Sequence, residues 1–447
     1  MAVGQAGLNI GATSWVLCCA ALVFLMTPAV GFFYGGMVRS TNAVSLIVQS
    51  FATVGLVSLV WVGVGFSLAF GDGNPIIGGV GLAGLTDLNA GVPGVNLDGV
   101  PLLAFMLFQM MFAIITPALI TGAGAERWRF GAFLFFTVGW SLLVYSPTAH
   151  WVFSPLGWAA KLGALDWAGG AVVHASAGAA ALVVALRLGR RTGWPDPRMR
   201  PHSLPLVLLG AGLLWFGWFG FNGGTALTAN GLAAIAVTNT HLAASTGMLT
   251  WALAERIRVG KATTLGAASG AVAGLVAITP AAGYVSPLGA LAIGVIAGAV
   301  CQLLVGLKSV FGFDDALDVA AVHLGGGVVG SLAVGLFASS AVNPAGSNGL
   351  FYGGGYRLLS VQAVAVSAVV AYSMAMTLLL LVVSDRLLGN RANLRQETAG
   401  LDLSQHGEAA YSYTGGLSAA VAPRQNPDVG RHAEPEKIPV SAQKRVF

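Results

Sequence analysis

Two short strings, Val173-His174-Ala175-Ser176-Ala177-Gly178 and Val322-His323-Leu324-Gly325-Gly326-Gly327, share the pattern Val-His-x-x-x-Gly, and each sits inside a long apolar run. A helical run of about 20 apolar residues crosses a bilayer. An ionisable group within such a helix is expensive, so its presence marks function. Two of them in the same setting point to one site assembled from the two halves of a duplicated chain.

The remaining composition agrees with that class. Of 447 residues, 56% are hydrophobic and 9% are charged, with a mean hydropathy of +0.78. A soluble domain carries about 25% charged residues, so an all-α polytopic membrane protein is predicted. The 63 glycines fit close helix approach in lipid. Cys18, Cys19 and Cys301 all fall in apolar segments without ligand spacing, so no disulfide, metal or cofactor is expected. The pI near 9.3 reads as arginines that orient helices, not as nucleic-acid binding. No positive charge precedes the first apolar run near Ile10, so no cleavable signal is expected.

Hydropathy gives about eleven spans: 11–34, 43–70, 101–124, 131–150, 167–188, 204–226, 231–253, 263–283, 288–307, 319–338 and 359–384. With the N-terminus outside, the inner loops hold Arg39, Arg127, Arg129, Arg187, Arg190, Arg191, Arg198, Arg200, Arg256, Arg258, Lys261, Lys308, Arg386, Arg391 and Arg395, while the outer loops hold only Lys161 and Arg357. That asymmetry predicts the N-terminus outside and the C-terminus inside. The Glu126-Arg127 and Glu255-Arg256 pairs read as snorkelling anchors at that inner face.

A second duplication accompanies the first. Phe33-Tyr34-Gly35-Gly36 closes span one and Phe221-Asn222-Gly223-Gly224 closes span six, each followed by an asparagine at the same offset, Asn42 and Asn230. The repeat therefore runs from spans one to five (about 11–188) against six to ten (about 204–338), with an eleventh helix at 359–384 completing a domain of 1–385 and a tail over 386–447. Five is odd, so the halves are inverted in the membrane, an arrangement that places a pathway at their interface.

His174 and His323 either bond backbone carbonyls and hold helices together, or lie side by side along a narrow pore, where a paired donor and acceptor follow a small polar solute. The repeat axis favours the pore. His150 and His241 read as satisfied structural histidines. Asp166 opens span five, eight residues before His174, about 12 Å along a helix axis. It either caps the span or lends its field to an outer vestibule. Asp318 opens span ten in the same way. Phe108 and Phe221 are placed to project into one path. Trp151 and Phe153 lie at the outer end of span four, and Thr225 adds a hydroxyl at that depth. Aromatic faces attract a small cation where water is excluded.

The chain resembles the ammonium transporters of the Amt/Mep/Rh superfamily from about Trp15 to Tyr413. The matching strings are Phe-Tyr-Gly-Gly at 33–36, Gly-Ala-x-Ala-Glu-Arg at 122–127, Ala-His-Trp at 149–151, Gly-Ala-Leu-Asp-Trp-Ala-Gly-Gly-x-Val-Val-His at 163–174 and Gly-Trp-Phe-Gly-Phe-Asn-Gly-Gly at 217–224. They continue with Ile-Thr-Pro-Ala-Ala-Gly-Tyr at 278–284, Asp-Asp-x-x-Asp-Val-x-x-Val-His at 314–323 and Gly-Leu-Asp-x-x-x-His-Gly-Glu-x-Ala-Tyr at 400–411; the last favours the Amt branch. The resemblance implies a homotrimer in the cell membrane, with one pore per subunit. It assigns His174 and His323 to the pore and Phe108 and Phe221 to a gate. It assigns ammonium recruitment to Thr225, Phe108, Phe153, Trp151 and Asp166, with methylammonium as an analogue substrate. Phe153 stands where the family usually has tryptophan, and Thr225 replaces a common serine. The tail signature, Gly400, Asp402, Ser404, His406, Glu408 and Tyr411, implies packing beneath neighbouring subunits and control by a PII-type partner. Ser404 falls where some relatives carry a regulatory threonine; a phosphate there adds roughly −1.5 to −2 charges. The segment after Pro423 reads as disordered.

An unpaired cation in a dry pore costs tens of kcal/mol by Born solvation, and no acidic residue inside spans five or ten offsets it. Ammonium is therefore expected to shed its proton near the phenylalanine gate and cross as ammonia, the proton either returning or following along the histidines. An ammonium sensor is the alternative reading, and a channel for a neutral gas is a weaker one.

Overall fold

The computed structural model describes residues 7–196 and 199–411. Arg198, counted with the inner-loop arginines, and the segment after Pro423, read as disordered, lie outside the described residues. One unit runs through Ala410; Tyr411 heads a second and is exposed.

Among the described residues, nine helices are long and apolar enough to cross a membrane. They are α1 (Ile10–Met37), α2 (Ser40–Phe70), α3 (Leu102–Ile120), α4 (Phe130–Leu162, interrupted at 154–157), α5 (Gly170–Leu188), α6 (Leu204–Gly224), α9 (Pro287–Phe311), α10 (Ala320–Phe337) and α11 (Arg357–Leu388). Two more helices fall where sequence places spans seven and eight. These are α7 (Gly231–Val259), which carries Glu255, Arg256 and Arg258, and the short α8 (Thr264–Ile278). Their starts follow from capping chemistry: Asn230 and Thr263 accept the N–H groups of Ala233 and Gly266, two of the donors a helix start leaves orphaned.

Glycine decides how α1 and α6 meet. A methyl on Gly36 would press on Val207, one on Gly217 on Met26, one on Gly220 on Cys19 and Leu22, and one on Gly224 on Cys19. Contacts that climb one helix while descending the other make the pair antiparallel. The Gly-Gly duplication seen in sequence is thus a packing device: without side chains, two backbones approach closely in lipid.

The basic ends of α1, α3, α5 and α9 converge with the tail on one face, called here the tail face. Arg127 was read as a snorkelling anchor, and the structure corrects this. Its guanidinium is fully buried and donates to the carbonyls of Ala125, Gly189 and Asp314. Glu126, in the left-handed region at φ 67°, accepts from the Arg39 backbone and side chain and lies 3.6 Å from Arg191. Arg191 in turn grips Asp314 with two guanidinium nitrogens at 2.8 and 2.9 Å. Burial alone would raise the Asp314 carboxyl, but Arg191 outweighs it and holds it below the usual range.

Candidate conduction site

The histidines sit on matching local structure. Each lies in a π-helical turn, Gly170–Ala175 for His174 and Ala320–Gly325 for His323, a feature that recurs at functional sites. Each turn is started by an aspartate eight residues before its histidine. Asp166 accepts four backbone N–H groups, from Gly169 and Gly170 on Oδ1 and from Ala171 and Val172 on Oδ2. Burial pushes its carboxyl above the ordinary range, against the pull of those four donors. In the second half the equivalent is Asp315, which accepts from Ala320 N at 2.7 Å. Asp318 is not the cap: its carboxylate pairs with Lys308 at 2.6 Å and its backbone is left-handed, φ 61°. The register is why: Asp318 stands only five residues before His323, too near to reach back over the first turn.

The final glycine of Val-His-x-x-x-Gly now has a reason. A methyl on Gly178 would lie 2.6 Å from Leu324 Cα, and one on Gly327 would lie 2.7 Å from Ala175 N. Each glycine, four residues after its own histidine, thus seats the residue that follows the other histidine. This reciprocity is what two halves related by an axis in the membrane plane produce. It lets α5 and α10 cross closely enough for His174 Nδ1 and His323 Nδ1 to lie 3.3 Å apart, with rings 5.4 Å between centroids and 25° from parallel. Both rings are at least 96% buried, at 2% and 4% relative exposure. Trp218 stacks on His174 at 5.2 Å and is held by its Nε1 donating to Thr279 Oγ1.

On the Asp166 side, Phe221 lies 6.1 Å from His174. The ring stacked on Phe221 is Phe112, at 4.1 Å and 29°. Sequence reading had assigned that partnership to Phe108, one turn earlier; the structure corrects it. Phe108 is fully buried, edge-on to Phe112 at 5.0 Å, with its ring over Gly224. Above the stack opens a cavity of about 240 Å³ lined by Phe112, Gln109, Phe153, Asp166, Thr225 and Tyr284, among others. Thr225 donates its hydroxyl to Phe221 O, which leaves its oxygen lone pairs to accept. Trp151 is not in this lining. Its Nε1 donates to Ile76 O, and its ring packs on Trp158 and Tyr372. A carboxylate, a hydroxyl oxygen and aromatic faces around one small space suit a small cation.

The tail docks on its own chain. Asp402 accepts from Val44 and Ser45 N at the start of the regular part of α2, and Leu401 N donates to Asn42. Burial raises the Asp402 carboxyl against those donors. Gly400, at φ 92°, presses on Thr41, where no side chain fits. The Ser404 hydroxyl donates to Gly400 O, Gln405 bridges Phe130 N and Trp128 O, and His406 meets Phe130 edge-on at 4.9 Å. Glu397, absent from the sequence reading, binds Arg391 at 2.6 Å and both Thr192 donors. Burial alone would raise its carboxyl; Arg391 and Thr192 hold it below the usual range. Glu408 is exposed.

Of the other histidines, His150 is buried with its two ring nitrogens each 2.8 Å from a carbonyl oxygen, Ala69 and Asn74. His241, read from sequence as a satisfied structural histidine, has no such enclosure. It lies exposed on α7, 5.4 Å from Trp215.

Residues 14–411 match the model of the Ammonium Transporter Family. An ammonium transporter of Mycobacterium bovis is 48% identical over 456 residues, covering 96% of this chain and 96% of that one. The crystal structure of Candida albicans Mep2 aligns with a TM-score of 0.82 at 36% identity, over 87% of this chain and 88% of that one. A structure titled Sensor Amt Protein aligns at 0.81 and 30% identity, over 88% and 98%.

Proposed function

The chain belongs to the ammonium transporter family and is a multi-pass membrane protein that carries ammonium across a membrane; from that premise we propose the route. Ammonium is recruited in the cavity bounded by Asp166, Thr225 and Phe153. At the Phe112–Phe221 stack it gives its proton either back to water on that side or on to the His174–His323 pair, and ammonia passes the histidines toward the tail face. The observation that carries this is the 3.3 Å contact between His174 and His323, buried directly behind the stacked rings.

The physical argument is one of cost. Moving a bare ammonium past two buried neutral imidazoles forfeits its hydration with no carboxylate within α5 or α10 beside them, whereas ammonia forfeits little. Asp166 acts through its field and by holding the α5 start, not as a ligand saturated by the cation. Phe153 supplies a weaker π face than the family's tryptophan, so recruitment affinity falls rather than disappears.

The arginine distribution supports the N-terminus outside and the tail inside, and membership of the family supports the cell membrane as location. A homotrimer is supported by α7. His241 and the long apolar side chains Leu249 and Leu253 are exposed on one protomer, and lipid is a poor neighbour for an imidazole. Sensing through the tail, with a PII-type partner, is the second reading. It is favoured by the likeness to the Sensor Amt Protein structure and by the tail's hold on α2.

The test is uptake and current in liposomes holding the full chain, with methylammonium as well as ammonium. His174→Ala combined with His323→Ala is expected to abolish or rewire both. Wild-type currents in the double variant refute the route. Failure to rescue growth on low ammonium, with regulation intact, supports sensing instead.

A further inference from the structure

The two capping aspartates are equivalent in position and unequal in saturation. On Asp166 each oxygen holds two backbone N–H groups, four in all. On Asp315, Oδ2 takes the Ala320 N–H at 2.7 Å with the Val319 N–H also drawn to the carboxylate, while Oδ1 is buried without a hydrogen-bond partner within range among the described residues. The residue is 2% exposed. A buried acceptor left open is costly in a native protein and calls for a proton or a ligand. Its cap on Ala320 holds the carboxyl at the start of the π-helical segment that carries His323, on the tail-face side.

The neighbouring charges are all committed elsewhere. Asp314 is gripped by Arg191, Arg127 is spent on carbonyls, and Asp318 is paired with Lys308, whose ammonium also reaches the Asp315 backbone oxygen at 3.3 Å. Tyr34 packs nearby with its hydroxyl donating to Leu119 O. Asp318, at 23% side-chain exposure, connects the cluster to the solution on the tail face. Among the described residues of this cluster, Asp315 has a buried carboxylate oxygen with neither a hydrogen bond nor an ion pair, whereas Asp314 is held by Arg191 and Asp318 by Lys308.

We infer that Asp315 is the proton station at the tail-side end of the conduit, where ammonia regains the proton that ammonium shed at the other face. This rests on the transport reading above. The step balances without any further reactant. A proton arriving by way of His323 forms the Asp315 Oδ1–H bond, and the imidazole returns to neutral. Ammonia then takes that proton: the O–H bond breaks, a fourth N–H bond forms, and ammonium leaves as the carboxylate is restored. Burial, reinforced by the Asp318 charge, pushes the carboxyl up to about 6, which suits a group that must both take and give a proton near neutral pH.

The experiment uses the full chain in liposomes, with an ammonium gradient and with current and internal pH recorded together. Asp315→Asn keeps an oxygen for the Ala320 N–H and removes the titratable one. The expected result is a current lower by about 100-fold, the low end for a lost acid–base group, with the dependence on tail-side pH flattened. Asp315→Glu is expected to recover part of the current with a displaced pH profile, which a merely structural role would not give. An Asn variant with wild-type current and pH profile overturns the assignment. So do Asn and Glu variants that lose equal current with the profile unmoved. If the Asn variant does not fold, the wild-type profile decides: a current that shows no inflection on the tail side between about pH 5 and 7 overturns it. Wild-type liposomes that alkalinise without current overturn it and leave transport standing. Liposomes that show neither signal refute transport itself.

Discussion

Adding one methyl group at the crossing of α5 and α10 should disable the conduit without touching a histidine. In Gly178→Ala the new Cβ would lie 2.6 Å from Leu324 Cα, and its amide nitrogen is nearer still; ordinary contact begins at 3.4 Å. The opposing atoms are backbone and cannot rotate away. The helices must part by at least 3.4 − 2.6 = 0.8 Å. Carried to the imidazoles, that widens the 3.3 Å Nδ1–Nδ1 contact to 3.3 + 0.8 = 4.1 Å, beyond hydrogen-bonding range. Gly327→Ala meets Ala175 N at 2.7 Å, which asks for 3.4 − 2.7 = 0.7 Å. Overpacking of this size costs about 1–3 kcal/mol, enough to strain the site without unfolding a protein of this size. Methylammonium uptake in liposomes, alongside a thermal melt, reads both effects. Gly178→Ala is expected to lose most uptake while the melt falls by a few degrees, with Gly327→Ala close behind. A Gly178→Ala protein with wild-type uptake, or one less impaired than Gly327→Ala, refutes the reasoning, because it means the histidine contact does not depend on how closely the helices cross.

The two phenylalanines of α3 should separate cleanly. Phe112→Ala is expected to alter solute discrimination at the stack, whereas Phe108→Leu lowers stability by about 1–1.5 kcal/mol and leaves discrimination intact; the reverse pattern restores Phe108 to the gate. Asp166→Ala removes a cap that serves four N–H groups and should cost at least about 2 kcal/mol in a denaturation midpoint as well as ammonium affinity, while a melt unchanged from wild type denies the capping role. Glu397 is held below its ordinary value of 4.5 when the tail is docked, so its contribution is present above that pH and is lost as pH falls through the lower docked value. Protease cleavage within 391–406 should therefore rise on acidification, and Glu397→Gln should show that elevated cleavage already at pH 7. Asp402, displaced upward, works in the opposite direction, so Asp402→Asn should steepen the acid release.

The spans and the paired histidines were legible because hydropathy and an intramembrane titratable group are strong, local signals. What was lost depended on rotation and register. Phe108 and Phe112 are one turn apart on α3, and nothing in the sequence says which ring turns toward Phe221 and which lies in the notch above Gly224. Three carboxylates crowd 314–318, and the one nearest the helix looked like the cap. Counting back from the histidine would have found Asp315, since Asp166 and Asp315 stand the same eight residues before their partners. Arg127 resembled every other arginine at a helix end. Its burial depends on carbonyls supplied by Gly189 and Asp314, distant in sequence. Trp151 failed for a related reason: its neighbour Phe153 lines the cavity, and two residues on a helix point 200° apart.

The Nδ1–Nδ1 contact also constrains what crosses. A neutral imidazole has one donor nitrogen and one acceptor nitrogen, so two that share a hydrogen bond through their Nδ1 atoms must hold opposite tautomers. One ring then presents a bare Nε2 at its far end, and the other presents an Nε2–H. His174 Nε2 is buried without a partner among the described residues. Ammonia, with one lone pair and three N–H groups, bonds either end and leaves the tautomers as they were. A proton that enters at one Nε2 and leaves at the other exchanges them, and the pair must be reset before a second can follow in the same direction. Ammonia alone therefore has no reset step, whereas coupled proton movement must pass through one. A solvent deuterium isotope effect on current that exceeds the effect on alkalinisation rate would show that reset in operation. Equal effects would mean that the histidines guide ammonia and leave the proton to another path.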